Sequence, residues 1–212
     1  VSSLRLLDPA SRADLVAFLG LAQRLDEAAV VRMHRRTPEQ VVAWVQTGFD
    51  VLACRALPAE LSDADAVAAV DQVAAAADAA LPGAQIDLGF PMDSSWRGAL
   101  PPVDGFRHVD DVPAELVLEL ARSAGDLSRE YKTGPPQSLL DQHLMTVDDH
   151  GRESIGIPAR VMLALTAMRF VPEHRSGEFV RVRAHPAWLR VDARYGSVYR
   201  RRASATPLII GT

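Results

Sequence analysis

The chain reads as an α+β protein with segregated elements: a small antiparallel sheet with helices, followed by a part made of helices and a β-hairpin. Three observations predict this. Strand-like runs come in groups instead of alternating with helices. Apolar residues recur at helical spacing over 9–25, 113–130 and 158–170. A stretch rich in Gly and Pro, 82–111, shows no periodicity and separates two parts. The expected organisation is an acidic α+β part over 1–90, a Gly/Pro-rich strap over 91–112, and a second part over 113–212 that ends in basic strands.

The elements follow in order. Asp8-Pro9 is a helix start, an N-cap followed by proline at the first helical position, and Leu15, Phe18, Leu19, Ala22 and Leu25 give the stripe of a helix over 9–25. Val30–Arg36, Gln40–Gln46 and Asp50–Leu57 read as three strands of a meander, with Thr37-Pro38-Glu39 as the first turn. Asp63–Leu81 is alanine-rich and reads as one helix carrying Asp63, Asp65, Asp71 and Asp78. In the strap, Trp96 and Phe106 stand among the breakers, as anchors of a packed connection or as parts of a lid. Pro113–Glu130 is a helix with Leu116, Val117, Leu120, Ala124 and Leu127 on one side. A short helix (Gln137–His143), a short strand (Leu144–Val147) and a helix (Pro158–Phe170) come next. Strands over Phe179–Ala184, Ala187–Asp192 and Ser197–Arg202 follow, and Leu208-Ile209-Ile210 suggests a last short one.

Charge is divided unevenly. Residues 1–149 hold 12 Lys+Arg and 23 Asp+Glu, a net of −11; residues 150–212 hold 11 and 4, a net of +7. Such asymmetry points to a partner surface. Of the 23 basic residues, 22 are Arg and only Lys132 is Lys, which favours bidentate grip on carboxylate or phosphate. Cys54 is the only cysteine, so an internal disulfide is excluded and a reducing cytoplasm is the expected location. No run of about 18 apolar residues predicts a membrane span, and Val1–Leu7 lacks the pattern of a signal peptide.

The candidate site lies in the C-terminal strands. Alternation sets Arg181 and Arg183 on one face of their strand; Arg190 lies on the next strand, Arg194 on the turn after it, and Arg200, Arg201 and Arg202 on the last. Trp188, Tyr195 and Tyr199 are interleaved, and cations with aromatics are a footprint of phosphate and base contact. A solvated sheet face and an acidic protein partner are the competing readings. Other chemistry is poorly supplied. His143, Asp148, Asp149 and His150 cluster, but Asp-Asp-His-Gly is also a turn, and Cys-x-x-Cys and His-Glu-x-x-His are absent. Ser94 and Ser95 lack a nucleophile elbow, and no Gly-rich phosphate loop occurs. No cofactor and no metal are expected.

The segment Trp96-Arg97-Gly98-Ala99-Leu100-Pro101-Pro102, with Trp188-Leu189-Arg190 and Tyr195-Gly196-Ser197-Val198-Tyr199-Arg200, resembles an uncharacterised protein family common in high-GC bacteria. That resemblance implies no function. The element order over 113–192 resembles a winged helix, which implies a recognition helix at 158–170 and DNA binding. That helix offers only Arg160, Thr166 and Arg169 to read bases. The resulting expectation is a non-enzymatic binding or regulatory module that contacts an anionic partner, nucleic acid or an acidic protein surface, through the Arg-rich strands. The alternative is a structural protein that self-associates as a homo-oligomer or sits in a larger complex. An enzyme with its site under the strap, near Asp93, Trp96 and Arg97, is the third reading.

Overall fold

The structure, a computed structural model, describes residues 2–129, 135–149, 151, 153–173 and 175–202. Lys132, His150 and the Leu208–Ile210 strand expected from sequence lie outside these residues. A short strand, β1 (Ser3–Leu6), opens the chain and leads into helix α1 (Pro9–Leu25). Asp8 caps α1, its carboxylate accepting from the Ala10 amide at 2.9 Å, and Pro9 starts the first turn. The meander is β2 (Val30–Thr37), β3 (Gln40–Gln46) and β4 (Leu52–Leu61). Then come β5 (Asp65–Ala69), helix α2 (Val70–Ala79) and β6 (Gln85–Asp87).

The second half repeats this plan. Strand β7 (Arg107–Pro113) leads into helix α3 (Ala114–Arg129), then the one-turn helix α4 (Gln137–Leu140) and the hairpin β8 (His143–Asp148) and β9 (Ser154–Pro158). Helix α5 (Ala159–Ala167) and a second meander, β10 (Phe179–His185), β11 (Trp188–Ala193) and β12 (Gly196–Arg201), complete it. The main strand order is β5-β2-β3-β4-β12-β11-β10-β7, all antiparallel, with β1 added beside β4 and β6 beside β1. Read from either end, the eight strands have the same plan: a strand that runs into a helix, then a meander. The two halves meet where β4 pairs with β12, Ala53 opposite Val198.

The winged-helix expectation is therefore overturned. The chain is mostly one large antiparallel sheet with few helices. The hairpin expected to be a wing, β10–β11, lies inside the eight-strand ladder between β12 and β7. The expected recognition helix, α5, is buried against the sheet, with Val161, Met162 and Leu165 in the main core. Of the three polar groups expected to read bases, Arg160 is 2% exposed and the Thr166 hydroxyl bonds the Met162 and Leu163 carbonyls, while Arg169 is exposed but lies beyond the end of the helix. Asp63–Leu81 is also corrected. Its first part is β5, paired with β2 from Val30–Ala69 to His34–Asp65, and only Val70–Ala79 is helical.

All the long helices lie on one face of the sheet. Their apolar stripes meet inward residues of both meanders (Val31, Met33, Val45, Val182, Val191 and Val198) in one core. Three contacts fasten the halves on this side. Phe18 of α1 stacks on Phe170, with ring centroids 6.1 Å apart and planes 10° off parallel. Gly196 lets that ring approach; a Cβ there would stand 2.5 Å from Phe170 and 2.8 Å from the Cys54 carbonyl. Arg160 donates to the Phe49 carbonyl (2.7 Å), Asp141 (2.7 Å) and Gln137 (2.9 Å).

Candidate interaction surface

The opposite, outer face of the sheet carries a second, smaller cluster. Val42 and Trp44 of β3, Cys54 of β4, Trp188 of β11 and Tyr199 of β12 form it across the junction between halves. Residues 88–106 run over this face. Trp96, Leu100 and Phe106 pack on the cluster, Met92 N donates to Val67 O at 2.8 Å, and Gln46 donates to the Arg97 carbonyl. Phe106 meets the Tyr199 ring edge-on at 5.7 Å.

Two clefts flank this crossing segment, and Tyr199 lines both. The first, about 540 Å³, lies under Leu100–Val103 and is walled by Arg32, Arg36, Trp44 and Arg190. The second, about 550 Å³, lies beside Arg97–Ala99 and is lined by Trp188, Asp50 and Arg200–Arg202.

The seven arginines singled out from sequence do not form one bare surface. Strand alternation puts Arg181, Arg183, Arg190 and Arg201 on the outer face and turns Arg200 and Arg202 to the other side. Arg194 sits in the β11–β12 turn. Six of the seven have carboxylate partners. Arg181 bonds Asp111 (3.0 Å), Arg183 and Arg190 share Asp192 (2.9 and 2.6 Å), and Arg194 bonds Glu178 (2.9 Å). Arg200 holds Asp50 (3.1 Å) and Asp141 (3.0 Å), and Arg202 holds Glu153. Hydrogen bonds from Arg181 and then His108 hold the Asp111 carboxyl below its usual range, and Arg202 does the same for Glu153. Only Arg201 has no carboxylate among the described residues; its guanidinium lies 5.0 Å from the Trp188 ring centroid.

The charge asymmetry of the sequence is thus largely answered inside the molecule. Asp111, Asp141 and Asp149, from the acidic run, pair with Arg181, Arg200 and Arg107 of the same half. The acids expected on the alanine-rich helix are not their partners. Asp65 sits on β5 and pairs with Arg32.

Two residues that sequence reasoning did not single out for this surface matter more. Arg36 and Arg97 are exposed, line the first and second cleft respectively, and have no carboxylate partner among the described residues. The outward alternation of Arg32, His34 and Arg36 on β2 was a usable signal for Arg36. The helix layer differs in charge. Apart from the buried Arg160, α1, α2, α3 and α5 carry four arginines (12, 24, 122 and 129) against six carboxylates (Asp14, Asp71, Asp78, Glu115, Glu119 and Asp126).

The remaining groups offer little chemistry. Burial pushes the Cys54 thiol up to about 12, so it is not an activated nucleophile. Asp149 pairs with Arg107, and Asp148 accepts the Gly151 amide at 2.5 Å within the β8–β9 turn. No helix of the described residues is long and apolar enough to cross a membrane.

Residues 1–98 match the model of a domain of unknown function (DUF8010), and residues 101–205 match that of a second domain of unknown function (DUF8185). Both models are uncharacterised, in keeping with the resemblance seen in the sequence. No curated protein matches the chain. Among solved structures, it is similar to a putative DNA polymerase III β subunit from Eubacterium rectale, with 7% identity and a TM-score of 0.64 over 99% of this chain and 67% of that one. A sliding clamp from Bartonella birtlesii bound to griselimycin matches with 12% identity and a TM-score of 0.60, over 97% and 66%. The β subunit of Streptococcus pyogenes DNA polymerase matches with 9% identity and a TM-score of 0.59, over 100% and 68%. The fold is that of the sliding clamps, and the chain spans about two thirds of the length of these structures.

Proposed function

We propose that this chain is a non-enzymatic interaction scaffold of sliding-clamp fold, which takes protein partners on the outer face of its sheet as part of a larger complex. One observation carries the reading: two clefts with aromatic floors and carboxylate-free arginines flank the segment crossing that face, while the helix layer has an excess of acid. Concave surfaces of this size with aromatic and Arg walls suit anchoring side chains. The likeness in fold to sliding clamps supports a role without catalysis.

Nucleic acid is the weaker partner for the Arg181–Arg202 set. Duplex binding draws on counterion release by cations that face the phosphates. Guanidiniums already held by Asp111, Asp192, Glu178, Asp141 and Glu153 supply less of it.

The ends of the ladder are poor places for strand addition. On β5 the Val67 carbonyl is taken by Met92. Strand β7 carries His108, Asp110 and Asp111 and ends in Pro113, a composition that discourages edge pairing. Partners are therefore expected on the face, not at the edges.

Photo-cross-linking tests this. p-Benzoylphenylalanine at Val103, on the crossing segment and 58% exposed, is expected to capture protein in cells, while the same group at Ser123 on α3 captures little. Adducts at Ser123 alone, or nucleic acid as the captured species at Val103, would overturn the proposal.

A further inference from the structure

The charge pattern of the outer face identifies the chemistry of what docks there; the inference rests on the outer face being the docking face. Five arginines and two aspartates line the first cleft. Four of the five are engaged: Arg32 by Asp65, Arg55 by Asp14, Arg190 by Asp192 and Arg194 by Glu178. Arg36 is the remaining one. It lines the same cleft as Trp44, Cys54 and Tyr199, and its side chain is exposed. Across the crossing segment, Arg97 and Arg201 line the second cleft with the buried Trp188, and neither has a carboxylate among the described residues.

We infer that the outer face takes an acidic segment of a partner protein, whose carboxylates pair with Arg36 on one side of residues 97–103 and with Arg97 and Arg201 on the other, while an apolar or aromatic side chain between them rests on Trp44, Tyr199 or Trp188. An exposed guanidinium presents a planar fork that matches a carboxylate bidentately, and the aromatic floors beside it lower the local dielectric that the pair experiences. Unlike the six paired arginines, these three keep their hydrogen-bonding capacity for a partner. Their separation on two sides of one segment calls for a chain carrying several acids, not a single small anion.

The test pans a random peptide library of about twelve residues on the immobilised full chain and, in parallel, on the R36E/R97E/R201E chain. All three positions are exposed, and circular dichroism checks that the variant is folded; the milder R36Q/R97Q/R201Q chain gives a second reading of the same effect. Peptides enriched on the native chain are expected to carry several Asp or Glu beside an aromatic residue. Their dissociation constants, measured by fluorescence anisotropy, are expected to rise about tenfold or more on charge reversal and less on neutralisation. Acid-poor peptides that bind all three chains alike, yet block cross-linking at Val103, would overturn the acidic-segment assignment and leave the docking face standing. Peptides that map only to the helix layer, or no enrichment at all, would overturn both. Tighter binding of a short DNA duplex than of the acidic peptides, lost in R36E/R97E/R201E, would replace the protein segment by nucleic acid.

Discussion

The same strands build both faces of the sheet, and the two faces solve different problems. On the inner face, Val, Met and Leu side chains from both halves merge with the helices into one apolar core. On the outer face only five buried residues form a cluster, and arginines with their acids surround it. Alternation along one strand is enough to make this difference: Val180 and Val182 go in, Arg181 and Arg183 go out. Stability is accordingly concentrated on one side and exposed chemistry on the other.

Substitutions on the two faces sharpen that contrast. The largest effect is expected from Phe18→Ala, which empties the inner-face stack on Phe170 and should cost about 4 kcal/mol in urea-unfolding free energy. Arg160→Ala should cost about 3 kcal/mol, because it leaves the part-buried Phe49 carbonyl without its donor and removes the Asp141 pair. Gly196→Ala forces the junction apart against Phe170 and the Cys54 backbone, with an expected cost of about 2 kcal/mol by the same measurement. On the outer face, Leu100→Ala should cost only about 1 kcal/mol, since that side chain is half-buried. If Leu100→Ala destabilised as much as Phe18→Ala, the contrast between faces would fail.

The smallest expected effect is acid sensitivity. Asp111 and Glu153 have folded pKa values below their unfolded ones, so the stability they contribute is fully present above the unfolded values, about 4. It is lost as pH falls through the folded values. Asp111→Asn with Glu153→Gln should flatten the acid limb of a stability–pH curve without moving its neutral plateau much. Both groups are partly exposed, so solvent screening keeps the change modest.

Local signals in the sequence reached far but not across the molecule. Helix α1, both meanders and the start of α3 are legible, because capping residues, alternation and apolar stripes are short-range patterns. Strand β5 was hidden by alanine, which hosts helix well and says little about a five-residue strand whose place is set by pairing with β2. Strand β7 was hidden in the strap by its charges and its Pro113. The four-residue β1 and five-residue β9 are too short to announce themselves. The winged-helix order missed β9 along the chain and was wrong in space, because the pairing of Cys54 with Ser197 has no local trace. The candidate site shows the same limit. Which arginines share a strand face was readable; which of them are neutralised was not, since Arg181 finds Asp111 from a strand 70 residues away. Arg36 and Arg97 stand out beside Arg201 only after the other guanidiniums in the clefts have been matched with their acids.

The seam at Ala53 and Val198 is made of main-chain amides and carbonyls, and this bears on how such a protein changes over generations. A weld written in the peptide group tolerates many flanking side chains, but Gly196, Phe170, Phe18 and Arg160 tie it to particular ones. Most positions of each half are therefore free to drift, while these few must change together if the plate is to stay whole.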